Sequence, residues 1–378
     1  MYIEKLKLQN FRNIKNEEIK FCPNLNVLVG KNGMGKTNIL ESIYILCIGR
    51  SPRAVKDSEC INFDENEANI KLDYIRNQTK RNIDMTLFKN AKKILLLDGM
   101  QCKKLSDIVG NFGCVYFSPV ELNIVSGAPS MRRRFVDIIN CQISPQYMNE
   151  LFRYQRAIKQ RNNYIKKNKN KDYNLELESW DCEMAKLCAS ITKRRQVFVD
   201  RLTDIAMHIH SDITNKKENI IIKYESCFED VHSISFDEMV NIYLQKMKQN
   251  YERDKMLEYT SFGCQNDDLN IKLQYLNNNE ITKTINLKKN GSQGQQRTGV
   301  LSMKLAELEI LKSEYDEPPV MLLDDVLGEL DDERKNTLLN YCQNFQTIVS
   351  CTEWNIPQKC MIFEVKNGQI CTQIDKLV

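Results

Sequence analysis

The sequence predicts an α/β fold with mixed sheets, built around a phosphate-binding loop and carrying a mostly helical insert. Three observations predict it. Residues 25–29 are an apolar strand run that leads into Gly30-Lys31-Asn32-Gly33-Met34-Gly35-Lys36-Thr37, a match to G-x-x-x-x-G-K-[ST], and Ile39, Leu40, Ile43 and Leu46 follow at helical spacing. A second apolar run, residues 320–323, ends in Asp324-Asp325. Between the two, residues 131–257 are helical in character and rich in Lys and Arg.

The totals bound the function. At 378 residues the chain can bury a large core and forms two domains or one elaborated domain. A net charge of +4 makes local basic patches, not the whole molecule, the relevant electrostatic feature. None of the 14 cysteines has C-x-x-C spacing or clusters with the three histidines, which argues against structural zinc. The start, Met1-Tyr2-Ile3-Glu4-Lys5, is no signal peptide, and no apolar run approaches a membrane span. The expectation is a cytoplasmic protein with reduced thiols and no membrane partner.

In chain order, residues 2–9 read as a half-exposed strand, Asn10-Phe11-Arg12-Asn13 as a turn, and Glu18-Ile19-Lys20-Phe21 as the beginning of a second strand. Gly49-Arg50-Ser51-Pro52-Arg53 is a basic loop. Residues 68–75, 82–88 and 93–97 read as antiparallel strands with a turn at Asp98-Gly99, and Val115-Tyr116-Phe117 as a short strand stopped by Pro119. Residues 146–165 form a helix, 166–171 a basic linker, and 180–209 a long helix with Met184, Leu187, Cys188, Ile191, Phe198, Leu202, Ile205 and Ile209 on one face. These two helices predict an antiparallel hairpin, too irregular for a long coiled coil. A strand at 220–224 follows, then a helix from a capping box at Ser235 to about Leu257. Residues 269–273 and 282–287 form a hairpin around Asn277-Asn278-Asn279. A helix opens after Ser292 and runs through Leu311, and core strands are predicted at 347–350 and 361–365.

The chemistry follows from these placements. Glycines let the loop backbone close around a polyphosphate, toward which loop N–H groups and the helix N-terminus direct positive charge. Lys36 can reach the β- and γ-phosphates and Thr37 can ligate Mg²⁺. Asp324 is assigned to the metal and Asp325 to the attacking water. A strand-end acidic turn is common in any sheet protein, so this assignment draws its force from the loop. Ser292-Gln293-Gly294-Gln295-Gln296-Arg297 forms a second anion site at a loop-to-helix junction. A capping turn would explain it alone. One nucleotide does not need two such sites, and the economical reading is that the second completes the pocket of another subunit.

Asn10-Phe11-Arg12-Asn13, the 30–37 loop, Arg132-Arg133-Arg134-Phe135-Val136-Asp137, residues 292–297 and Leu322-Leu323-Asp324-Asp325-Val326-Leu327-Gly328-Glu329-Leu330-Asp331 together resemble the RecF family of bacterial recombination mediators, over essentially the full length and in the expected order. The resemblance implies a P-loop ABC/SMC-type ATPase head, with residues 1–120 and 261–378 as its two halves and residues 121–260 as a helical arm between the Walker A and signature motifs. It implies ATP and Mg²⁺ as cofactors. The nucleotide would be held by Gly30, Lys31, Asn32, Gly33, Met34, Gly35, Lys36, Thr37 and Asn38, and, from a second copy, by Ser292, Gly294 and Gln295. Lys36, Asp324, Asp325, Ser292 and Thr352 would be catalytic, Thr37 and Asp324 would hold the metal, and Asp331 would be the D-loop acid.

The implied activity is weak, DNA-dependent ATP hydrolysis that releases an ATP-dependent homodimer from duplex or gapped DNA, with weaker binding to single strands. The implied role is recombinational repair and replication, within the SOS response, assisting RecA loading with RecO and RecR. Basic runs at 132–134, 166–171 and 193–195 would supply positive surface for DNA phosphates. Departures from the family pattern are Gly263-Cys264-Gln265-Asn266-Asp267-Asp268, where G-P-H-R-D-D is usual, Pro119-Val120-Glu121-Leu122, where P-E-D-L is usual, and Lys288-Lys289-Asn290-Gly291 leading into Ser292, more polar than the pattern leads one to expect. Alternatives are an ABC-type ATPase subunit of a transporter and a nucleotide-switched interaction module.

Overall fold

The computed structural model describes residues 1–168, 172–278, 280–356 and 358–376. The first strands are β1 (Tyr2–Phe11), β2 (Ile14–Lys20) and β3 (Leu25–Val29), followed by α1 (Lys36–Ile48). Then come β4 (Glu67–Arg76), β5 (Thr79–Phe88), β6 (Ile94–Leu97), β7 (Met100–Gln101) and β8 (Cys114–Phe117). The helical region comprises α2 (Pro129–Ile143), α3 (Pro145–Lys167) and α4 (Leu175–Ile213), then β9 (Glu218–Glu225), α5 (Phe236–Gln249) and α6 (Tyr251–Leu257). The chain returns through β10 (Asp268–Asn277), β11 (Glu280–Asn286), α7 (Leu287–Asn290), α8 (Gln293–Tyr315), β12 (Val320–Asp324), α9 (Asp332–Cys342), β13 (Thr347–Cys351), β14 (Cys360–Lys366) and β15 (Gln369–Lys376).

Three sheets organise these elements. The central one has the order β15-β14-β3-β13-β12-β8, parallel except at the β15 edge. Its inner strands β3, β12 and β13 are buried on both faces, which is why residues 25–29, 320–323 and 347–350 read as largely apolar runs. An antiparallel sheet, β2-β1-β4-β5-β6-β7, lies on the other side of α1, which touches β12 and β13 as well as β1 and β4. Sandwiched in this way, α1 buries Ile39, Leu40, Ile43 and Leu46 but also Glu41, Ser42, Tyr44, Ile45 and Cys47. A third sheet, β11-β10-β9, packs against α4 and α7.

Several expectations are corrected. The second strand ends near Lys20 instead of beginning at Glu18. Asn10 and Arg12 take left-handed φ values of 53° and 55°, so the chain reverses at Arg12-Asn13 and Ile14 is already paired and buried. The long helix starts earlier, at Leu175, because the Asn174 side chain caps Leu177 N–H, and it runs on to Ile213. The helix opened by Ser235, whose hydroxyl accepts from Glu238 N–H, divides at Asn250 into α5 and α6. α3 extends into the expected linker as far as Lys167; positions 169–171 of that linker, and Asn279 of the hairpin turn, lie outside the described residues. Elements without a sequence expectation are α7, α9, β7 and β15. The antiparallel pairing of α3 and α4 follows from contacts such as Arg161 with Asp181 and Glu150 with Ser190.

Candidate functional site

The loop between β3 and α1 is held in place by its surroundings. Gly30 N–H donates to Cys351 O at 3.3 Å, and a Cβ on Gly30 would lie 2.4 Å from Val365 O, so only glycine fits between β13 and β14. Gly35 caps α1 at φ 111°, beside the Asn13 side chain. Asn13 also accepts from Asn38 Nδ2 at 2.8 Å, and Gly368 N–H donates to Met34 O at 2.8 Å. The β1–β2 turn and the β14–β15 turn thus brace the loop from two sides. Lys36 is buried, and its ammonium donates to Gly30 O at 2.7 Å and Lys31 O at 3.2 Å.

The Asn10–Asn13 motif has a second anchor. Arg12 donates to Glu41 Oε2 at 3.1 Å and Oε1 at 2.7 Å, and Ser51 Oγ donates to Glu41 Oε1 at 2.5 Å. Glu41 is fully buried in α1, so this guanidinium and hydroxyl compensate a carboxylate that burial would otherwise penalise.

Beside the loop, Asp324 ends β12. Its Oδ1 accepts from Thr37 Oγ1 at 2.8 Å and Ser350 Oγ at 2.8 Å, and its Oδ2 accepts from Tyr116 Oη at 2.6 Å. Residues 116, 324 and 350 meet because β8, β12 and β13 are parallel neighbours whose C-terminal ends face the loop. Asp325 follows in a left-handed conformation, φ 51°, with its N–H donating to Ser350 Oγ at 3.0 Å. Burial raises the Asp325 carboxyl above its ordinary pKa; the Lys36 ammonium opposes this and the Asp324 charge adds to it. A cleft of about 450 Å³ is lined by Asn32, Asp325, Ser350 and Thr352, among others. Thr352, at the end of β13, is exposed. The pairing of a hydroxyl with a carboxylate is a hard oxygen donor set that suits Mg²⁺ held jointly with phosphate. Among the described residues no group of three or more His, Cys, Asp or Glu side chains is arranged to hold a metal alone.

Ser292 and Gln295 form a reciprocal capping box at the start of α8: Ser292 Oγ accepts from Gln295 N–H at 3.2 Å and Gln295 Oε1 accepts from Ser292 N–H at 3.0 Å. Gln295 Nε2 donates to Glu218 Oε1 at 2.7 Å and Tyr275 Oη at 2.9 Å, while Gly294 O accepts from Arg334 Nη2 at 3.0 Å. Asp331 caps α9 and pairs with the same Arg334. Ser292 is exposed, and among the described residues no hydrogen bond joins residues 292–297 to residues 30–37.

The basic runs are less available than their charge suggests. Arg132 is 3% exposed, donates to Asp268 Oδ1 and Oδ2 at 2.7 and 2.8 Å, and reaches the carbonyls of Ile124, Val125 and Gly127. Arg195 is also buried, against Asp137 at 2.8 Å. Arg133 donates to Asp267 O at 2.7 Å. Arg134 and Lys193 remain exposed, as do Arg50 and Arg53 of the loop after α1. The 263–268 segment is a structural anchor in this chain: the two aspartates that keep the family pattern, Asp267 and Asp268, receive arginines, as does the backbone carbonyl of the departing Cys264.

Sequence reasoning did not find Tyr116, Ser350, Glu218 or Arg334. The one available signal was position: Tyr116 and Ser350 lie near the ends of predicted core strands.

Comparison with known proteins gives a consistent result. The family model described as the RecF/RecN/SMC N terminal domain matches residues 2–369. A protein named DNA replication and repair protein RecF from Acetivibrio thermocellus is 40% identical over 357 residues, covering 93% of this chain and 94% of the relative. One of the same name from Clostridium perfringens is 38% identical over 376 residues, covering 98% and 99%. Among solved structures, the recombination mediator protein RecF with ATP in the RecFOR pathway superposes with a TM-score of 0.88 at 30% identity, covering 99% of this chain and 97% of that one. An Smc head bound to the C-winged helix domain of ScpA, at 14% identity and a TM-score of 0.56 over 99% and 98%, shares the fold.

Proposed function

This chain belongs to the RecF family, with an ABC/SMC-type ATPase head, and from that premise we propose that it is an ATP-switched DNA clamp of replication and recombinational repair. What carries the reading is the separation of two half-sites. The cradle of Lys36, Thr37 and Asp324 is complete on one side, while Ser292 and Gly294 open α8 at an exposed helix start bonded to Glu218, Tyr275 and Arg334. A lid without its own cradle fits a second copy.

In this reading the loop N–H groups and Lys36 bind the ATP phosphates. Thr37 and Asp324 would hold Mg²⁺, which when bound neutralises phosphate charge. The Asp325 carboxylate, made more basic by burial, orients and accepts a proton from water, and Thr352 faces the same cleft. Ser292 of a second copy closes over the γ-phosphate, the dimer grips duplex or gapped DNA, and slow, DNA-stimulated hydrolysis releases it. Residues 1–120 and 261–378 act as the head and 121–260 as the arm. RecO and RecR are the proposed partners and RecA the indirect one, in the cytoplasm. No described helix is long and apolar enough to cross a membrane. Arg134, Lys166, Lys167, Lys193, Arg50 and Arg53 are among the exposed cations available to phosphates.

The test is Ser292→Arg in the full chain. ATP binding survives and ATP-dependent dimerisation, followed by sedimentation, disappears; a dimer that persists defeats the composite site. DNA affinity with and without ATP across a salt series is enhanced by ATP and falls steeply with salt. Affinity indifferent to ATP would favour an interaction module.

A further inference from the structure

The Asp324 carboxylate is shared by three hydroxyls, and they are not equivalent. Thr37 and Ser350 both donate to Oδ1, on the loop side. Oδ2 has a different partner, Tyr116 Oη at 2.6 Å. Tyr116 comes from β8, on the far side of β12 from β13, where it stands opposite Leu322 in the parallel register. It is 4% exposed, and its ring packs on Tyr44 of α1 with centroids 5.3 Å apart. A phenol buried there needs an acceptor, since an unpartnered buried hydroxyl costs about 1–3 kcal/mol. The acceptor it has found is one oxygen of the residue assigned to the metal.

We propose that Tyr116 is a positioning residue for the metal-binding carboxylate: by occupying Oδ2 it fixes the rotation of Asp324 and leaves Oδ1 facing Thr37. The proposal rests on the assignment of Thr37 and Asp324 to Mg²⁺. Its physical logic is that of an outer-shell partner, which sets the orientation of a ligand without touching the ion. Phenylalanine at this position would keep the packing on Tyr44 and remove one hydrogen bond.

The experiment is equilibrium binding of a fluorescent ATP analogue to the full chain, in chelator and across a Mg²⁺ series, for wild type and Tyr116→Phe. The expected result is a Mg²⁺ midpoint raised about 10–100-fold, the usual effect of losing an outer-shell partner, with metal-free affinity unchanged. An unchanged midpoint overturns the proposal. So does a parallel fall in metal-free and metal-dependent affinity, which would mark Tyr116 as packing alone. A cycle with Asp324→Asn gives the second test: Tyr116→Phe has no further effect on the midpoint in that background, and additive effects overturn the coupling. Wild type that binds nucleotide without regard to Mg²⁺ would instead remove the metal assignment itself.

Discussion

Arg132 separates charge that holds the fold from charge left at the surface, where the proposed function would place DNA phosphates. It is the first residue of a run of three arginines, yet its guanidinium is buried, bidentate to Asp268 and directed at three backbone carbonyls. Arg132→Ala leaves the Asp268 carboxylate and those carbonyls without their donor. Breaking a buried pair by removing one partner costs about 3–5 kcal/mol. The Asp268 side chain is 25% exposed and keeps some water, so the lower end, about 3 kcal/mol, is expected. The cost has a pH signature. Burial raises the Asp268 carboxyl pKa, but the hydrogen bonds and charge of Arg132 bring it below the ordinary value. An acid depressed in the folded state stabilises above its unfolded pKa, and that stability is lost as pH falls through the folded value. The difference between wild type and Arg132→Ala should therefore shrink below about pH 4. Chemical denaturation across pH measures it. DNA titrations over a salt series supply the contrast: Arg134→Ala, at an exposed position, lowers the salt slope by about 1 and leaves stability within about 0.5 kcal/mol. If Arg132→Ala unfolds like wild type and reduces the salt slope, the burial argument is wrong.

Three further outcomes are expected. Gly30→Ala should weaken nucleotide binding and destabilise the chain by about 1–3 kcal/mol, because its Cβ meets Val365 O and both backbones must move; calorimetry that finds neither change refutes the tight approach. Glu218→Ala removes an ionised acceptor from Gln295, so ATP-dependent dimerisation should weaken by about 1.5–3 kcal/mol while ATP binding by the single copy holds, as sedimentation and binding assays read separately. Glu307, buried in α8 and 2.6 Å from the Lys304 ammonium, has a carboxyl pushed up to about 7 by burial against the pull of that ammonium. An acid raised in the folded state favours folding when protonated, so its contribution declines as pH rises from the ordinary carboxylate range through about 7; Glu307→Gln should remove that slope from the unfolding free energy, and an unaltered slope would exclude Glu307 as its source.

The candidate site was legible where its parts are local. A strand, a glycine loop and a helix are consecutive in residues 25–48, and each carries its own period and punctuation. The capping box at Ser292 and Gln295 spans four residues and reads directly as a helix start. The second strand was misplaced because left-handed Asn10 and Arg12 shorten the turn, and nothing in an Asn-Phe-Arg-Asn tetrapeptide announces that. The α5–α6 division at Asn250 escaped because an asparagine inside a helical pattern is unremarkable until it caps something.

By itself the amino-acid order determined most of the strands and helices, the strand–glycine loop–helix order of residues 25–48, and which carboxylates end a buried strand. The tertiary structure alone decided that Asp324 takes its hydrogen bonds from residues 37, 116 and 350, that Arg132 and Arg195 are withdrawn from the surface, and that the β14–β15 turn braces the loop. The reason is physical. Periodicity and capping act over a few residues, whereas these contacts join positions up to hundreds of residues apart, and the strand order that brings them together is set by how whole layers bury their apolar faces.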